Sequence, residues 1–138
     1  MNPHEYEALR EVEDRHWWFG GVRREIEAEL ARAGIRFSRW LDAGSGTGGL
    51  LANLRPPESP AAFGIEASFD GLVLSRSRGL RRLTCASADE LPFPSGTFDL
   101  VTSIDVLCHR GVDVPLALAE TRRCLRQGGL LLLQVPAF

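Results

Sequence analysis

The stretch Leu-Asp-Ala-Gly-Ser-Gly-Thr-Gly occupies residues 41–48 and places glycines at alternate positions directly after a short apolar run. A strand that ends in such a loop before a helix brings backbone N–H groups close to a ligand, and side chains at Gly44, Gly46 or Gly48 would block that approach. The spacing predicts a site for a nucleotide-like cofactor. Gly44, Gly46 and Gly49 also satisfy the dinucleotide pattern G-x-G-x-x-G, so this stretch alone leaves a nicotinamide cofactor open.

Predicted strands and helices alternate on both sides of this loop. Apolar runs predict strands over 39–43, 61–66, 83–86, 98–104 and 130–135, and helical spacing predicts helices over 4–14, 22–33, 49–54, 69–78 and 114–125. Gly20-Gly21 predicts a break before the second helix, and Pro56, Pro57 and Pro60 predict a loop. This alternation predicts an α/β fold with a parallel sheet wound by right-handed crossovers.

The composition of the chain excludes several classes of protein. Its 138 residues carry 16 basic and 18 acidic side chains, and the basic ones, all arginine, are scattered among the acids, which argues against a nucleic-acid-binding face. The first residues form no apolar signal region, and apolar runs such as Leu130–Leu133 are too short to span a bilayer. Three dispersed cysteines suit neither a disulfide framework nor a zinc site, and two of them stand in apolar contexts. We therefore expect a cytoplasmic protein with reduced thiols in or near its core and no bound metal.

Polar residues follow the predicted strands where a parallel sheet binds its ligands. Glu66 ends the second strand, 22 residues after Gly44, and suits a carboxylate that accepts hydrogen bonds from two ribose hydroxyls. Asp89 follows the third strand, where it can accept an adenine amino proton, with Leu91 and Phe93 flanking the ring. Ser103–Asp105 end the fourth strand.

Asp42 helps to choose between the cofactors. A carboxylate just before the glycines is unfavourable near a pyrophosphate, because two anions would face one helix N-terminus. It suits an amino-acid group that carries an ammonium and an adjacent sulfonium. The loop therefore favours S-adenosylmethionine over a nicotinamide cofactor.

Six stretches in order carry a family resemblance. They are Leu41-Asp-Ala-Gly-Ser-Gly-Thr-Gly48, Gly64-Ile-Glu66, Ala88-Asp-Glu-Leu-Pro-Phe-Pro94, Phe98-Asp-Leu-Val101, Asp105-Val-Leu-Cys-His109 and Leu125-Arg-Gln-Gly-Gly129. With them the chain resembles the class I S-adenosylmethionine-dependent methyltransferases of type 11, and His16-Trp-Trp-Phe19 with Arg23-Arg24 resembles an N-terminal cap of one branch. The resemblance implies a doubly wound Rossmann-like sheet of about five strands in the order 3-2-1-4-5, with N-terminal helices and without the family's strands six and seven.

The resemblance also implies roles for individual residues. Gly44, Gly46 and Gly48, with Ser45 between them, would line the methionine part of the cofactor, and Asp42 would orient the loop or the ammonium. Glu66 would hold the ribose and Asp89 the adenine amine beside Leu91. Backbone groups at Ala88 and Ser103 would complete the site.

Several residues keep two interpretations at this stage. His109 is a base or an orienting group, or else a structural loop histidine, and Asp105 is a cofactor or substrate contact, or else a cap. Trp17, Trp18 and Phe19 either cover the cofactor or seal the N-terminal helices onto the sheet. Arg23 or Arg24 either pairs with the cofactor carboxylate or lies at the surface.

We expect an N-terminal helical cap over residues 1–36 and a cofactor-binding domain over 37–138. The expected function is methyl transfer to a small-molecule acceptor, with S-adenosylhomocysteine as product. A non-catalytic binding module or a truncated enzyme is the first alternative, and an NAD-dependent oxidoreductase is the second. Because strand five would form an uncovered apolar edge, we also expect self-association or a partner chain covering it.

Overall fold

A parallel sheet forms the centre of the computed structural model, which describes residues 1–56 and 58–137. Its five strands lie in the order β3-β2-β1-β4-β5, and each neighbouring pair is parallel. The strands are β1 (Arg39–Ala43), β2 (Ala61–Glu66), β3 (Leu83–Cys85), β4 (Phe98–Ile104) and β5 (Leu125–Gln134). The helices are α1 (Pro3–Val12), α2 (Trp17–Ala33), α3 (Gly49–Asn53), α4 (Phe69–Ser77) and α5 (Val114–Cys124). The predicted fold class and strand order are confirmed.

Two buried clusters cover the opposite faces of this sheet. Successive strand residues point to opposite faces, so Leu41 and Val101 lie in one cluster while Trp40 and Leu100 lie in the other. The first cluster includes residues of α5 and of the loop after β3, and the second includes residues of α2 and α3. The layers therefore hold β1 and β4 rigidly, and the loops that leave their carboxyl ends are fixed in place.

The N-terminal helices have strong local start signals. Asn2 caps α1 through a capping box with Glu5, and Pro3 stands in the first turn. His16 Nδ1 accepts a hydrogen bond from the Trp18 amide at the start of α2, and Gly34 ends that helix in the left-handed conformation. The expected break at Gly20-Gly21 is wrong, because the helix begins at Trp17 and runs through both glycines.

The start of β5 differs from the prediction by five residues. Leu125 already pairs with Phe98, and an irregularity between Phe98 and Leu100 brings the register to Leu130 opposite Leu100. The strand thus passes through Gly128 and Gly129, and the register shift accommodates the extra residues of β5.

Other differences from the sequence expectations are small. The predicted ends of the first, third, fourth and fifth helices and of β3 and β5 move by one or two residues. Cys124 is buried, but Cys85 and Cys108 are exposed, so the expectation of two thiols in or near the core is wrong for one of them. Pro57, predicted in a loop, and Phe138, the last residue of the predicted domain, lie outside the described residues. No described helix is long and apolar enough to cross a membrane.

Candidate functional site

A cavity of about 560 Å³ opens at the carboxyl ends of β1, β2 and β4. The glycine loop and the end of β2 form its floor, residues 104–112 form one wall, and side chains of α1 and α2 lie across it. Its volume lies in the range of pockets that hold drug-sized ligands. The cavity is therefore the candidate functional site.

The glycine loop is held to β2 by backbone hydrogen bonds. The amides of Gly44 and Ser45 both donate to the Ile65 carbonyl, at 2.9 and 2.8 Å. Gly44 has a φ of 89°, and a Cβ at this position would overlap the Val106 side chain. Because only glycine fits there, the loop and the segment after β4 can meet closely at the cavity floor.

The Glu66 carboxylate ends β2 and turns back onto this loop. Its Oε2 accepts from the Gly46 amide at 2.9 Å, and its Oε1 accepts from the Ser68 amide and the Tyr6 hydroxyl, each at 3.0 Å. Burial and the nearby Glu66 charge raise the pKa of Tyr6 to about 12, so its hydroxyl stays protonated and donates. Glu66 thus joins the glycine loop, α4 and α1 at one point of the cavity.

Asp42 lies beneath the glycine loop in a chain of buried hydrogen bonds. Trp40 Nε1 donates to Thr102 Oγ1 at 2.9 Å, and Thr102 Oγ1 donates to Asp42 Oδ1 at 2.7 Å. Burial raises the pKa of Asp42 to about 7, with the Thr102 hydrogen bond opposing and the charges of Glu66 and Glu13 adding to the shift. A cation placed beside this buried carboxyl in the cavity would stabilise its ionised form.

Asp105 follows β4 in a strained conformation. Its φ is 56°, which is uncommon for a residue with a side chain, and its amide donates to the Gln134 carbonyl at 2.9 Å. In the described part of the chain its buried Oδ1 has no hydrogen-bond partner. Burial raises its pKa, although the nearby His109 and a hydrogen bond with Gln134 lower it. Both Asp105 and His109 line the cavity, and a strained residue with a buried acid oxygen is typical of functional sites.

A comparison with protein families gives the chain its relatives. The model of the family described as "Methyltransferase domain" matches residues 41–133. The chain belongs to this family. The resemblance to class I S-adenosylmethionine-dependent methyltransferases is thereby confirmed.

Individual relatives agree with the family. A demethylmenaquinone methyltransferase of Thermus thermophilus is 36% identical over 122 residues, which cover 83% of this chain and 53% of that protein. A malonyl-[acyl-carrier protein] O-methyltransferase of Geobacter sulfurreducens is 30% identical over 131 residues, which cover 91% of this chain and 46% of that protein. The crystal structure of Streptomyces venezuelae DesVI, 19% identical, matches the fold with a TM-score of 0.80 over 100% of this chain and 59% of that one. The chain spans about half the length of the curated relatives it matches.

The methyltransferase domain brings together six of the ten residues predicted to bind cofactor. Asp42, Gly44, Ser45, Gly46, Glu66 and Ala88 line the cavity.

The other four, Gly48, Asp89, Leu91 and Ser103, lie outside its lining. Asp89 Oδ2 accepts from the Asp113 amide at 3.3 Å, and Leu91 is buried in the core. A Cβ on Gly48 would meet Leu80 and Ser75, and the buried Ser103 hydroxyl has no partner in the described part of the chain. Their cofactor roles stay predictions.

The aromatic cluster at the start of α2, residues 17–19, divides between cavity and surface. Trp18 and Phe19 line the cavity, whereas Trp17 is 77% exposed. Arg23 also lines the cavity and donates to the Glu13 carbonyl at 3.2 Å, and Arg24 lies outside the lining.

Sequence reasoning missed the polar residues by which α1 holds the glycine loop. Glu13 accepts a hydrogen bond from Thr47 Oγ1 and pairs with Arg78, whose Nε donates to the Thr47 carbonyl at 2.8 Å. Tyr6 reaches Glu66 from the same helix. The available signal was the spacing of Tyr6, Leu9 and Glu13, which places all three on one face of α1.

No metal site emerges from residues 1–56 and 58–137. Nowhere in these ranges do three or more His, Cys, Asp or Glu side chains come together as ligands.

Proposed function

We propose that this domain binds S-adenosylmethionine in the cavity and transfers its methyl group to a small-molecule acceptor, with S-adenosylhomocysteine as product. The observation that carries the proposal is the Glu66 carboxylate, which lines the cavity beside the glycine loop. A carboxylate in this place is suited to accept hydrogen bonds from the hydroxyls of a ribose.

The charges of the cavity fit this cofactor. Asp42 lines the floor with a raised pKa, and a cation beside it stabilises its ionised form. The ammonium and sulfonium of S-adenosylmethionine supply such cations, whereas a pyrophosphate would repel the carboxylate.

The acceptor is proposed to be small and at least partly apolar. Trp18, Phe19, Val22 and Val112 give the cavity apolar walls. The names of the Thermus and Geobacter relatives specify a quinone precursor and a carrier-bound malonyl group as the acceptors of those proteins. Both observations favour metabolite acceptors over nucleic acids.

Asp105 and His109 are the proposed groups on the acceptor side. Bound S-adenosylmethionine supplies a methyl group on a positively charged sulfur that is already a good leaving group. The residues of this chain then have to orient the acceptor, exclude water and receive a proton from an acceptor that carries one. The Asp105 carboxyl, which lines the cavity with His109 beside it, is suited to accept that proton.

Titration calorimetry tests the cofactor. We expect S-adenosylmethionine and S-adenosylhomocysteine to bind and NAD not to bind. Binding of NAD without either sulfur compound would refute the proposal and favour an oxidoreductase.

A second candidate function is S-adenosylmethionine binding without catalysis by this chain alone. The observation that favours it is the coverage, since the chain spans only 53% and 46% of two methyltransferase relatives. A methyl-release assay over a panel of quinol, amine and carboxylate acceptors distinguishes the two: cofactor binding with release confirms catalysis, and binding without release favours the module.

We expect cofactor binding to release protons at neutral pH. Asp42, with a pKa of about 7, is about half protonated in the free protein, and the cationic cofactor favours its ionised form. If binding lowers this pKa by one unit, about 0.4 proton leaves at pH 7, and affinity rises as the pH increases from 6 to 7, below the range in which the ammonium of the cofactor loses its proton. Calorimetry in buffers of different ionisation enthalpy measures this release. In Asp42→Asn the release should vanish, and a wild-type signal independent of the buffer would contradict the prediction.

Asp105→Asn is expected to lower kcat by about 10²–10⁴, the range for removal of a general base. The affinity for S-adenosylmethionine should stay within about twofold, because the change keeps the shape of the side chain and lies on the acceptor side. His109→Gln should change the pH profile of kcat, because His109 lies beside the proposed base. The measurement is S-adenosylhomocysteine formation with an acceptor found in the panel. An Asp105→Asn enzyme with unchanged kcat would limit Asp105 to a structural role.

We also propose that the outer edge of β5 is covered by a second copy of the chain or by a partner. Among the described strands β5 pairs only with β4, and Leu133 and Val135 are exposed near that edge. An apolar strand edge of this kind favours pairing with another strand. Light scattering at high concentration should show dimers that Leu133→Lys disrupts, and a monomer in both proteins would refute self-association.

The free thiols of the chain support a proposed cytoplasmic location. Cys85 and Cys108 are free and exposed, a state that a reducing compartment preserves. Fractionation of cells that express the protein tests this location.

A further inference from the structure

The Tyr6 hydroxyl uses a hydrogen-bond acceptor position of Glu66 that the ribose of a bound nucleoside would need. Oε1 of Glu66 accepts from Tyr6 and from the Ser68 amide, each at 3.0 Å, and Oε2 accepts from the Gly46 amide at 2.9 Å. A carboxylate oxygen has about two acceptor positions, so Oε1 is saturated and Oε2 has one left. The two hydroxyls of a ribose cannot both bind Glu66 while Tyr6 keeps its bond.

The missing side chain at Gly71 makes room for the ring of Tyr6. A Cβ on Gly71 would lie 3.0 Å from Tyr6 Cε1 and 2.9 Å from Glu66 Cγ. Both contacts are tighter than ordinary packing allows, so a glycine at this position lets the ring reach the carboxylate. Tyr6 is buried and lines the cavity.

The two ends of α1 are attached by bonds of different strength. At its carboxyl end Glu13 pairs with Arg78 and accepts from Thr47, and both partners of the ion pair are buried. At its amino end the Tyr6–Glu66 hydrogen bond reaches the site, while the capping box of Asn2 and Glu5 is local to the helix. Apart from its packing against α4, the amino-terminal half of α1 is held at the site by the Tyr6–Glu66 hydrogen bond in the described part of the chain, so it is the half suited to move.

We propose that the Tyr6 hydroxyl occupies an acceptor position of Glu66 that a ribose hydroxyl takes when the nucleoside part of the cofactor binds. Tyr6 then loses its hydrogen bond, and the amino-terminal half of α1 moves off the cavity. This inference rests on the proposed function, because it needs Glu66 to bind the ribose. Tyr6 is then a positioning residue that keeps Glu66 oriented in the free protein. Cofactor binding exchanges one hydrogen bond for another and opens the cavity to the acceptor.

The test is a comparison of Tyr6→Phe with the wild-type chain. Phenylalanine keeps the ring in place and removes only the competing hydroxyl. We expect Tyr6→Phe to bind S-adenosylhomocysteine about twofold to tenfold more tightly, the range for one net hydrogen bond. His4→Ala is the matched control, because His4 lies on the same helix with a side chain that is 94% exposed, and its affinity should not change.

An analogue without ribose hydroxyls separates competition from simple orientation. For the wild-type chain the 2′,3′-dideoxy analogue of S-adenosylhomocysteine leaves the Tyr6–Glu66 bond intact, so the loss of affinity relative to S-adenosylhomocysteine is reduced by the energy of that bond. For Tyr6→Phe this loss should be about twofold to tenfold larger. Equal losses in the two proteins, or weaker binding of S-adenosylhomocysteine by Tyr6→Phe, would overturn the proposal and leave Glu66 as the ribose ligand.

Hydrogen exchange of the α1 amides gives an independent readout. S-adenosylhomocysteine should accelerate exchange in the amino-terminal half of α1 of the wild-type chain, and the dideoxy analogue should not. Slower exchange with S-adenosylhomocysteine would mean that α1 closes over the cofactor, and it would overturn the inference. If neither protein binds S-adenosylhomocysteine, the proposed function and this inference both fail.

Discussion

Glu66→Ala is expected to weaken S-adenosylmethionine binding about a hundredfold or more. Each charge-assisted hydrogen bond to a ribose hydroxyl contributes roughly 1.5–3 kcal/mol, and about 2.7 kcal/mol corresponds to a hundredfold in affinity. The substitution also removes the acceptor of the Gly46 amide, which helps to shape the glycine loop. Both effects act on the same site in the same direction. Calorimetric titration measures the change.

A stability measurement has to accompany this titration. Glu66 is buried and accepts from two backbone amides, so its removal leaves donors unsatisfied at a cost of about 1–3 kcal/mol in the free energy of unfolding. Glu66→Gln keeps the size of the side chain and one acceptor oxygen, and we expect an intermediate affinity. Glu90→Ala, at an exposed position after β3, is the matched control. A folded Glu66→Ala protein with wild-type affinity would exclude Glu66 as the ribose ligand.

The sheet was predictable because its information is local. The bounds of β1, β2 and β4 agree with the predicted ones, since each strand is a short apolar run bounded by glycine, proline or polar residues. The glycine loop and Glu66 followed from the same runs, because parallel strands bring their carboxyl ends to one edge. Asp42, Gly44 and Glu66 could therefore be placed at the cavity from the sequence, whereas Asp89 and Ser103, placed by the same argument, lie outside its lining.

The attachment of α1 was not predictable, because it depends on pairs that are far apart in the chain. Tyr6 and Glu66 are separated by 60 positions, and Glu13 and Arg78 by 65. A glutamate at the end of a polar helix has the pattern of an exposed residue, and its spacing from Tyr6 and Leu9 indicates a shared helix face but not the distant partner that it meets. The continuation of α2 through Gly20-Gly21 was not predictable for a similar reason. The cap at His16 and the packing of Ile26 and Leu30 outweigh a cost of about 1 kcal/mol for each glycine.

Arg78→Ala is expected to destabilise the protein by about 3–5 kcal/mol at pH 8, the range for breaking a buried ion pair by removing one partner. The side chains of Arg78 and Glu13 are only 5% and 8% exposed. Without the guanidinium the Glu13 carboxylate stays buried with the Thr47 hydroxyl as its remaining partner, and the Thr47 carbonyl loses its donor. Chemical unfolding measures the loss, and calorimetry should show weaker cofactor binding because Thr47 belongs to the glycine loop.

The loss should become smaller as the pH falls. Burial already raises the pKa of Glu13, with the Arg78 hydrogen bond and charge opposing the shift, and the substitution removes that opposition. The folded variant then holds a proton on Glu13 between the pKa of the unfolded chain and the higher pKa of the folded state. Its free energy of unfolding therefore falls as the pH rises through this range. The difference from the wild-type chain should be greatest at pH 8 and smallest near pH 4.

Two further variants distinguish the buried charge from the lost packing. Glu13→Gln combined with Arg78→Ala removes the uncompensated charge, so the double variant should be more stable at pH 8 than Arg78→Ala alone. Arg76→Ala changes an exposed arginine of α4, the helix that ends next to Arg78, and should alter stability by no more than about 0.5 kcal/mol. If Arg78→Ala lost the same free energy at pH 4 and pH 8, with no recovery in the double variant, the loss would come from packing. In that case the ionised state of Glu13, at the carboxyl end of α1, would not depend on Arg78.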